Sequence, residues 1–180
     1  MTLAILGLVL GVAEPLQVPR APYVATPPDV VDRMLALASV TSRDVVYDLG
    51  CGDGRIVIAA ARKFGARGVG VDIDPVRIAE ARRNANRAHV EHLVTFRLQD
   101  ALKTDVSEAT VVTLYLLSAQ NVALRPALTQ QLSAGARIVS HNFAMGDWEA
   151  DVVDTFTSAD GQTRTLYLWN VPGAQGRERP

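Results

Sequence analysis

The sequence predicts an α/β fold: a three-layer sandwich with helices on both faces of a mostly parallel, seven-stranded sheet that ends in an antiparallel β-hairpin. Three observations carry that expectation. Short apolar runs alternate with amphipathic stretches from residue 29 onward. A glycine-rich turn, LGCGDG at 49–54, follows the first of those runs. The last two runs flank Asp160-Gly161, a hairpin turn signal. Strands joined through helices run parallel and are covered on both faces.

Each element has a local reason. Thr26 reads as an N-cap, followed by prolines at the helix start and Asp29 in the first turn. Val30, Val31, Met34, Leu35 and Ala38 then recur at helical spacing. The first strand is the apolar run ending at Asp48. The helix RIVIAAARKF (55–64) closes at Gly65, where a glycine after the last turn belongs. GVGVD (68–72) is the second strand, and Asp74-Pro75 caps and opens a helix through Ile78, Ala79 and Ala85. LVTFRL (93–98) and TVVTLYLL (110–117) are the third and fourth strands. A helix over 126–132 begins at Pro126 and stops near Gly135; ARIVSH (136–141) is the fifth strand. DVVDTF (151–156) and RTLYLWNV (164–171) form the hairpin.

Composition narrows the function classes. The chain has 180 residues, 48% apolar and 21% charged, which fits one soluble globular domain, here placed at 29–172. A net charge of −1 supplies no global basic field for nucleic acid. The single cysteine, Cys51, excludes an intrachain disulfide and a cysteine-based zinc site, and reads as a small residue fitting a turn. His89, His92 and His141 form no metal-ligand grouping with carboxylates, so no metal is expected.

Residues 2–13, TLAILGLVLGVA, are apolar and uncharged. At about 1.5 Å per residue a helix there falls well short of a bilayer core of about 30 Å. Three readings stay open: a signal-like segment or membrane tether, a disordered or helix-packed extension, or a start assigned too early. Prolines 15, 19, 22, 27 and 28 make 14–28 an extended connector, and 173–180 reads as a flexible tail. The expected location is cytoplasmic, or membrane-associated facing the cytoplasm; export is the alternative if residues 1–13 are cleaved.

The turn VYDLGCGDGRI (46–56) carries the chemistry. Gly50 and Gly52 permit a tight strand-to-helix turn and let a ligand touch the main chain, and Gly54 lets the next helix start close to the sheet. The spacing is G-x-G-x-G, not the G-x-G-x-x-G of dinucleotide sites. Asp48, two residues before Gly50, opposes a pyrophosphate but suits an ammonium and a sulfonium. S-adenosylmethionine carries both and has no phosphate, so electrostatics favour it over NAD. Asp72 ends the second strand, 18 residues after Gly54, where a carboxylate can accept two ribose hydroxyls. Asp74 is more simply a helix N-cap. Asp100 closes the third strand, where its carboxylate or the Ala101 amide can meet an adenine edge.

VYDLGCGDG, GVDIDP and RLQDA together resemble the cofactor motifs of class I (seven-β-strand) S-adenosylmethionine-dependent methyltransferases, a Rossmann-like fold. PYVATPPDVVDRML, LYLL and SHNF resemble one branch of it, which holds an archaeal protein-lysine methyltransferase and mitochondrial lysine methyltransferases of the ATP synthase c-subunit and adenine nucleotide translocase. Ala25 stands where that branch has a middle proline, and Ser118 where a proline often follows LYLL. The resemblance implies cofactor contacts from Tyr23, Thr26, Asp48, Gly50, Gly52, Gly54, Asp72, Ile73, Asp100 and Ala101. Tyr23 and Thr26 lie in the segment that folds over the cofactor's methionine end in that branch. It also implies a protein-lysine acceptor. A small-molecule or RNA methyltransferase, or a non-catalytic S-adenosylmethionine-binding module, are the alternatives.

In-line displacement on a sulfonium needs alignment at about 3–3.5 Å more than it needs a base, so no catalytic triad is expected. Tyr115 is the acceptor-site candidate after the fourth strand, lining the pocket or simply packing in the core. Asn142, with His141, follows the fifth strand as a candidate polar contact or plain loop. Asp147-Trp148 is a weaker acceptor-channel candidate. The arginines at 77, 82, 83 and 87 read as a solvated helix face or a docking surface.

Overall fold

The structure, a computed structural model, describes residues 22–172. The expectations for the apolar N-terminus and the tail at 173–180 lie outside the described residues. Seven strands form one sheet: β1 (Val45–Leu49), β2 (Arg67–Asp72), β3 (Val94–Leu98), β4 (Val111–Leu114), β5 (Arg137–His141), β6 (Val152–Thr157) and β7 (Thr163–Asn170). Their spatial order is β3-β2-β1-β4-β5-β7-β6. The first five are parallel; β7 runs antiparallel to both β5 and β6. The predicted three-layer sandwich with its terminal hairpin is what forms.

Four helices cover the sheet: α1 (Pro28–Leu37), α2 (Arg55–Phe64), α3 (Pro75–Arg87) and α4 (Ser118–Gln131). They divide the core in two. Val46, Val111, Val139 and Leu166 point to the face covered by α1, α2 and α3. Tyr47, Val112, Leu114 and Ile138 point to the α4 face with the buried Trp169. All five residues of β1 are buried, as a central parallel strand requires. Chain order reverses about β1, whose neighbours are β2 and β4, so the crevice beyond its carboxyl end is the switch point where α/β folds bind ligands.

The capping signals hold in part. Asp74 caps α3 through Val76 N–H at 2.7 Å, and Gly65 ends α2 in the left-handed conformation. Thr26 does not cap α1: the N-cap residue is Pro27, which offers no side-chain acceptor. Asp29, in the first turn of α1, instead accepts from Ser158 Oγ at 2.8 Å and Ala159 N–H at 2.7 Å, pinning α1 to the β6–β7 turn.

Two boundaries differ from expectation. The β4 ladder stops at Leu114, and Leu116 turns under Gly50, burying its side chain at the turn. The apolar run continues past the ladder because the turn itself is core. Helix α4 starts at Ser118, eight residues before Pro126, which lies inside it. The missing N–H leaves the carbonyl of Val122 without its usual donor, on a stretch where Val122 is half exposed and water can serve it. Among the described residues no helix is long and apolar enough to cross a membrane.

Candidate active site

The turn after β1 hangs on the end of β2. Gly50 and Cys51 both donate to the carbonyl of Val71, at 2.8 and 2.9 Å. Gly52 N–H donates to Asp72 Oδ2 at 2.9 Å, and Asp74 N–H to Asp72 Oδ1 at 2.9 Å. Asp72 therefore shapes the turn, with lone pairs left for a ligand. Gly50, Gly52 and Gly54 all have φ between +51° and +85°, a region closed to most side chains.

A pocket of about 1160 Å³ opens above this turn. Of the residues singled out above, Tyr23, Thr26, Asp48, Gly50, Gly52, Asp72, Ile73, Asp100, Ala101 and Tyr115 line it. Gly54 does not: it lies beneath, where a Cβ would stand 2.6 Å from the Phe96 ring and 3.0 Å from Ala81. Asn142 does not line it either. Its Oδ1 accepts from Thr165 N–H at 3.0 Å and its N–H donates to the Thr165 carbonyl at 2.7 Å, so it closes β5 onto β7. Asp147 pairs with Arg125, and Trp148 packs on Trp169 and accepts its indole N–H at 2.9 Å; neither reaches the pocket. Cys51 fits the turn as a small residue, its sulfur 2.8 Å from where Gly70 would carry a Cβ.

Sequence reasoning missed the clasp that holds the pocket's wall. Arg55 grips Asp53 with two hydrogen bonds, at 2.9 and 2.7 Å, and reaches the Thr26 carbonyl at 2.8 Å. That ties residues 22–26 to the glycine turn. The Tyr23 ring covers Gly52, where a Cβ would overlap ring carbon Cε2, and the Arg77 guanidinium lies over the ring, 4.6 Å from its centre. Asp53 is buried, which opposes its charge, yet the hydrogen bonds and charge of Arg55 hold its carboxyl below the usual range. The letters D and R on either side of Gly54 are the only sequence sign of this clasp.

Asp48 is the most perturbed acid. It is buried, and among the described residues its one hydrogen bond comes from Thr113 Oγ1 at 2.8 Å. Burial pushes its pKa up to about 7, Thr113 pulling the other way and the charges of Asp72 and Asp53 adding to the rise. No cation neutralises it among the described residues, so the site is short of one positive charge where an ammonium would sit. Beside it, Tyr115 stacks on His141 with centroids 3.9 Å apart, and Phe143 lies 6.2 Å from Tyr115. His141 is fully buried, and neither ring nitrogen has a partner among the described residues. Burial, and then the charge of Arg164, lower its pKa to about 4.

These two shifts act on stability in opposite directions. Asp48 is an acid raised from about 3.8 to about 7, so the ligand-free fold gains stability as pH falls through that window. His141 is a base lowered from about 6.5 to about 4, so the fold loses stability as pH falls between those values. Each is worth about 3–4 kcal/mol at full extent, at 1.36 kcal/mol per unit. The two largely cancel between pH 4 and 6.5. We expect His141→Phe, which preserves the stack on Tyr115, to make the protein more stable at pH 5 than at pH 7. Chemical denaturation at both values checks this, and equal pH slopes in variant and wild type would refute it.

The comparisons with known proteins agree with the pocket. Residues 48–152 match the ANTKMT methyltransferase domain family. A protein-lysine N-methyltransferase of Saccharolobus islandicus is 44% identical over 156 residues, covering 86% of this chain and 96% of that protein. An ATP synthase c-subunit lysine N-methyltransferase of Xenopus laevis is 34% identical over 131 residues; the match covers 72% of this chain but only 57% of that protein. The crystal structure of an RNA methyltransferase from Salinibacter ruber, in complex with S-adenosyl-L-homocysteine, is 54% identical with a TM-score of 0.79, covering 87% of this chain and 97% of that one. The chain belongs to the ANTKMT methyltransferase domain family and is an S-adenosylmethionine-dependent methyltransferase.

Proposed function

We propose that the enzyme methylates a lysine side chain of a protein. The observation that carries this reading is the charge of the pocket. Among the described residues its lining holds five carboxylates, Asp48, Asp53, Asp72, Asp74 and Asp100, against three cations, Arg55, Arg77 and Lys103. Arg55 is committed to Asp53, and Arg77 to Glu80 at 2.5 Å. Asp48 and Asp53 are buried, so the accessible part of this field comes from Asp72, Asp74 and Asp100; it favours an ammonium side chain over a phosphate backbone. The names of the archaeal and frog relatives agree with this reading, and that of the Salinibacter structure supplies its rival.

The pocket fits S-adenosylmethionine on its own chemistry: a buried carboxylate without a counter-cation, and glycines that leave the main chain open. Asp48 would hold the ammonium, the main chain of Gly50 and Gly52 would line the methionine part, and Asp72 would take the ribose. Asp100, Ala101 and Ile73 would flank the adenine, with Tyr23 and Thr26 covering the methionine end. When bound, the cofactor supplies an electrophilic methyl on a sulfonium leaving group. The protein's task is then alignment. Tyr115, rigid against His141, gives the acceptor a flat aromatic wall that tolerates an ammonium. His141 is poorly suited as a base, since its burial keeps it neutral and weakly basic. A lysine amine, with a pKa of about 10.4, therefore surrenders its proton to water before attack.

Incubation with radiolabelled cofactor and a cell lysate, followed by separation of protein, RNA and small molecules, tests the acceptor. We expect acid-stable label in protein at lysine, and label confined to RNA or metabolites would overturn the reading. Tyr115→Ala should lower kcat at least tenfold while S-adenosylhomocysteine affinity, measured by calorimetry, stays within twofold.

A further inference from the structure

A second depression of about 600 Å³ lies between α2 and α3. Arg55, Arg62 and Lys63 border it from α2, and Arg87 borders it from α3. Ile58, Ala59 and Ala88 give it an apolar floor, and no carboxylate among the described residues lines it. The α2 residues recur at helical spacing, so one stripe of that helix faces the groove. Two of the cations are engaged: Arg55 with Asp53 at 2.7 Å and Lys63 with Asp32 at 2.5 Å. Arg62 and Arg87 are exposed and meet no carboxylate among the described residues; Arg87 donates only to the neutral Asn84 Oδ1 at 2.8 Å. Basic residues suit the last turn of any helix. That accounts for cations at the ends of α2 and α3, but not for their convergence on one acid-free groove.

Arg55 lines this groove and the cofactor pocket alike. The molecule thus sets an acid-rich mouth beside a basic channel, joined at one residue. We propose that the groove holds an acidic segment of the protein substrate that flanks the lysine placed in the pocket, an inference that rests on the lysine reading above. The complementarity is double: lysine to carboxylates, acidic flank to Arg62 and Arg87. RNA satisfies only the second half, since its phosphates meet the accessible carboxylates of the pocket, Asp72, Asp74 and Asp100. From Arg55 to Lys63 the helix rises about 12 Å, the span of about four extended residues.

The test uses full-length wild type and the Arg62→Glu/Arg87→Glu variant, with Arg62→Gln/Arg87→Gln as a milder second variant. Fluorescence anisotropy at low salt follows a labelled hexaglutamate peptide that contains no lysine. Methyl-transfer assays compare a lysine peptide flanked by four glutamates with one flanked by four serines. We expect hexaglutamate binding to weaken at least tenfold in the charge-reversed variant and severalfold in the neutral one. The glutamate-flanked peptide should show a KM at least tenfold below the serine-flanked one in wild type, and that advantage should vanish in the variant. S-adenosylhomocysteine affinity should stay unchanged, and the melting temperature should fall by only a few degrees in the charge-reversed variant, where glutamates oppose the helix dipole, and less in the neutral one. Equal hexaglutamate binding by wild type and variant would overturn the proposal. So would a single-stranded RNA 20-mer that binds wild type and is lost in the variant while the peptide is unaffected. If hexaglutamate behaves as expected but no lysine peptide is methylated, the groove stands and the lysine acceptor falls.

Discussion

An Asp48→Asn variant is expected to bind S-adenosylmethionine about 10–100-fold more weakly than wild type at pH 8, and to lose the pH dependence of binding. The size follows from removing a charged hydrogen-bonding partner, about 1.5–3 kcal/mol. The pH dependence follows from burial. In the ligand-free enzyme Asp48 is half protonated near pH 7, while a cationic ligand favours its carboxylate. Binding therefore releases a proton, and below pH 7 wild-type affinity falls by up to tenfold per unit as that proton has to be displaced. Calorimetry in buffers of different ionisation enthalpy reads the proton directly: released by wild type at pH 7, absent in Asp48→Asn. The same substitution removes a desolvated charge held by Thr113 alone, so the ligand-free variant should be more stable than wild type at pH 8. A variant that is sturdier yet binds poorly separates the ligand role from a folding role. Unchanged affinity at pH 8 would remove Asp48 from the cofactor site.

That experiment turns on a residue legible in the sequence, and the reason is local. VYDLG ends a buried strand, and the switch-point geometry sets the carboxyl end of that strand, Asp48 included, against the ligand crevice. Asp72 and Asp100 are legible for the same reason: each stands at or just beyond a parallel strand's carboxyl end. What escapes the sequence is contact across the chain. The Arg55 clasp on Thr26 spans 29 residues, and the Tyr23 ring finds Gly52 only once α1 has docked. Asn142 sits one residue beyond β5, at the ligand-binding end of the sheet, yet antiparallel pairing with β7 takes both its side chain and its amide. The start of α4 is hidden because Pro126 imitates a helix beginning while lying well inside. Local periodicity carries the elements; partner choice depends on the assembled sheet.

The three glycines of the turn look alike in sequence and do different work, which a Gly54→Ala variant should expose. Gly54 has φ +79°, and a Cβ there would press on Phe96 at 2.6–2.7 Å and Ala81 at 3.0 Å, all inside the core. Holding an alanine in the left-handed region costs about 1–2 kcal/mol, and overpacking adds about 1–3 kcal/mol. The sum, about 2–5 kcal/mol, is a large part of the 5–15 kcal/mol that usually stabilises a domain. At about 2–4 °C per kcal/mol for a chain of this size, we expect the melting temperature to drop by roughly 4–20 °C. Gly54 does not line the pocket, so the fraction that stays folded should bind S-adenosylhomocysteine within about threefold of wild type. Gly52→Ala should do the reverse. Its Cβ meets the Tyr23 ring, which is half exposed and outside the core, so displacing it costs the contact with Arg77 rather than core packing; stability falls less while the pocket loses its cover. Adding Phe96→Leu to Gly54→Ala relieves the clash but not the backbone strain, and should recover part of the loss, giving a favourable coupling in a double-mutant cycle. If Gly54→Ala instead weakens ligand binding as much as Gly52→Ala with no change in melting, Gly54 is a ligand contact after all. The packing of α2 against Phe96 would then have to yield more easily than its burial implies.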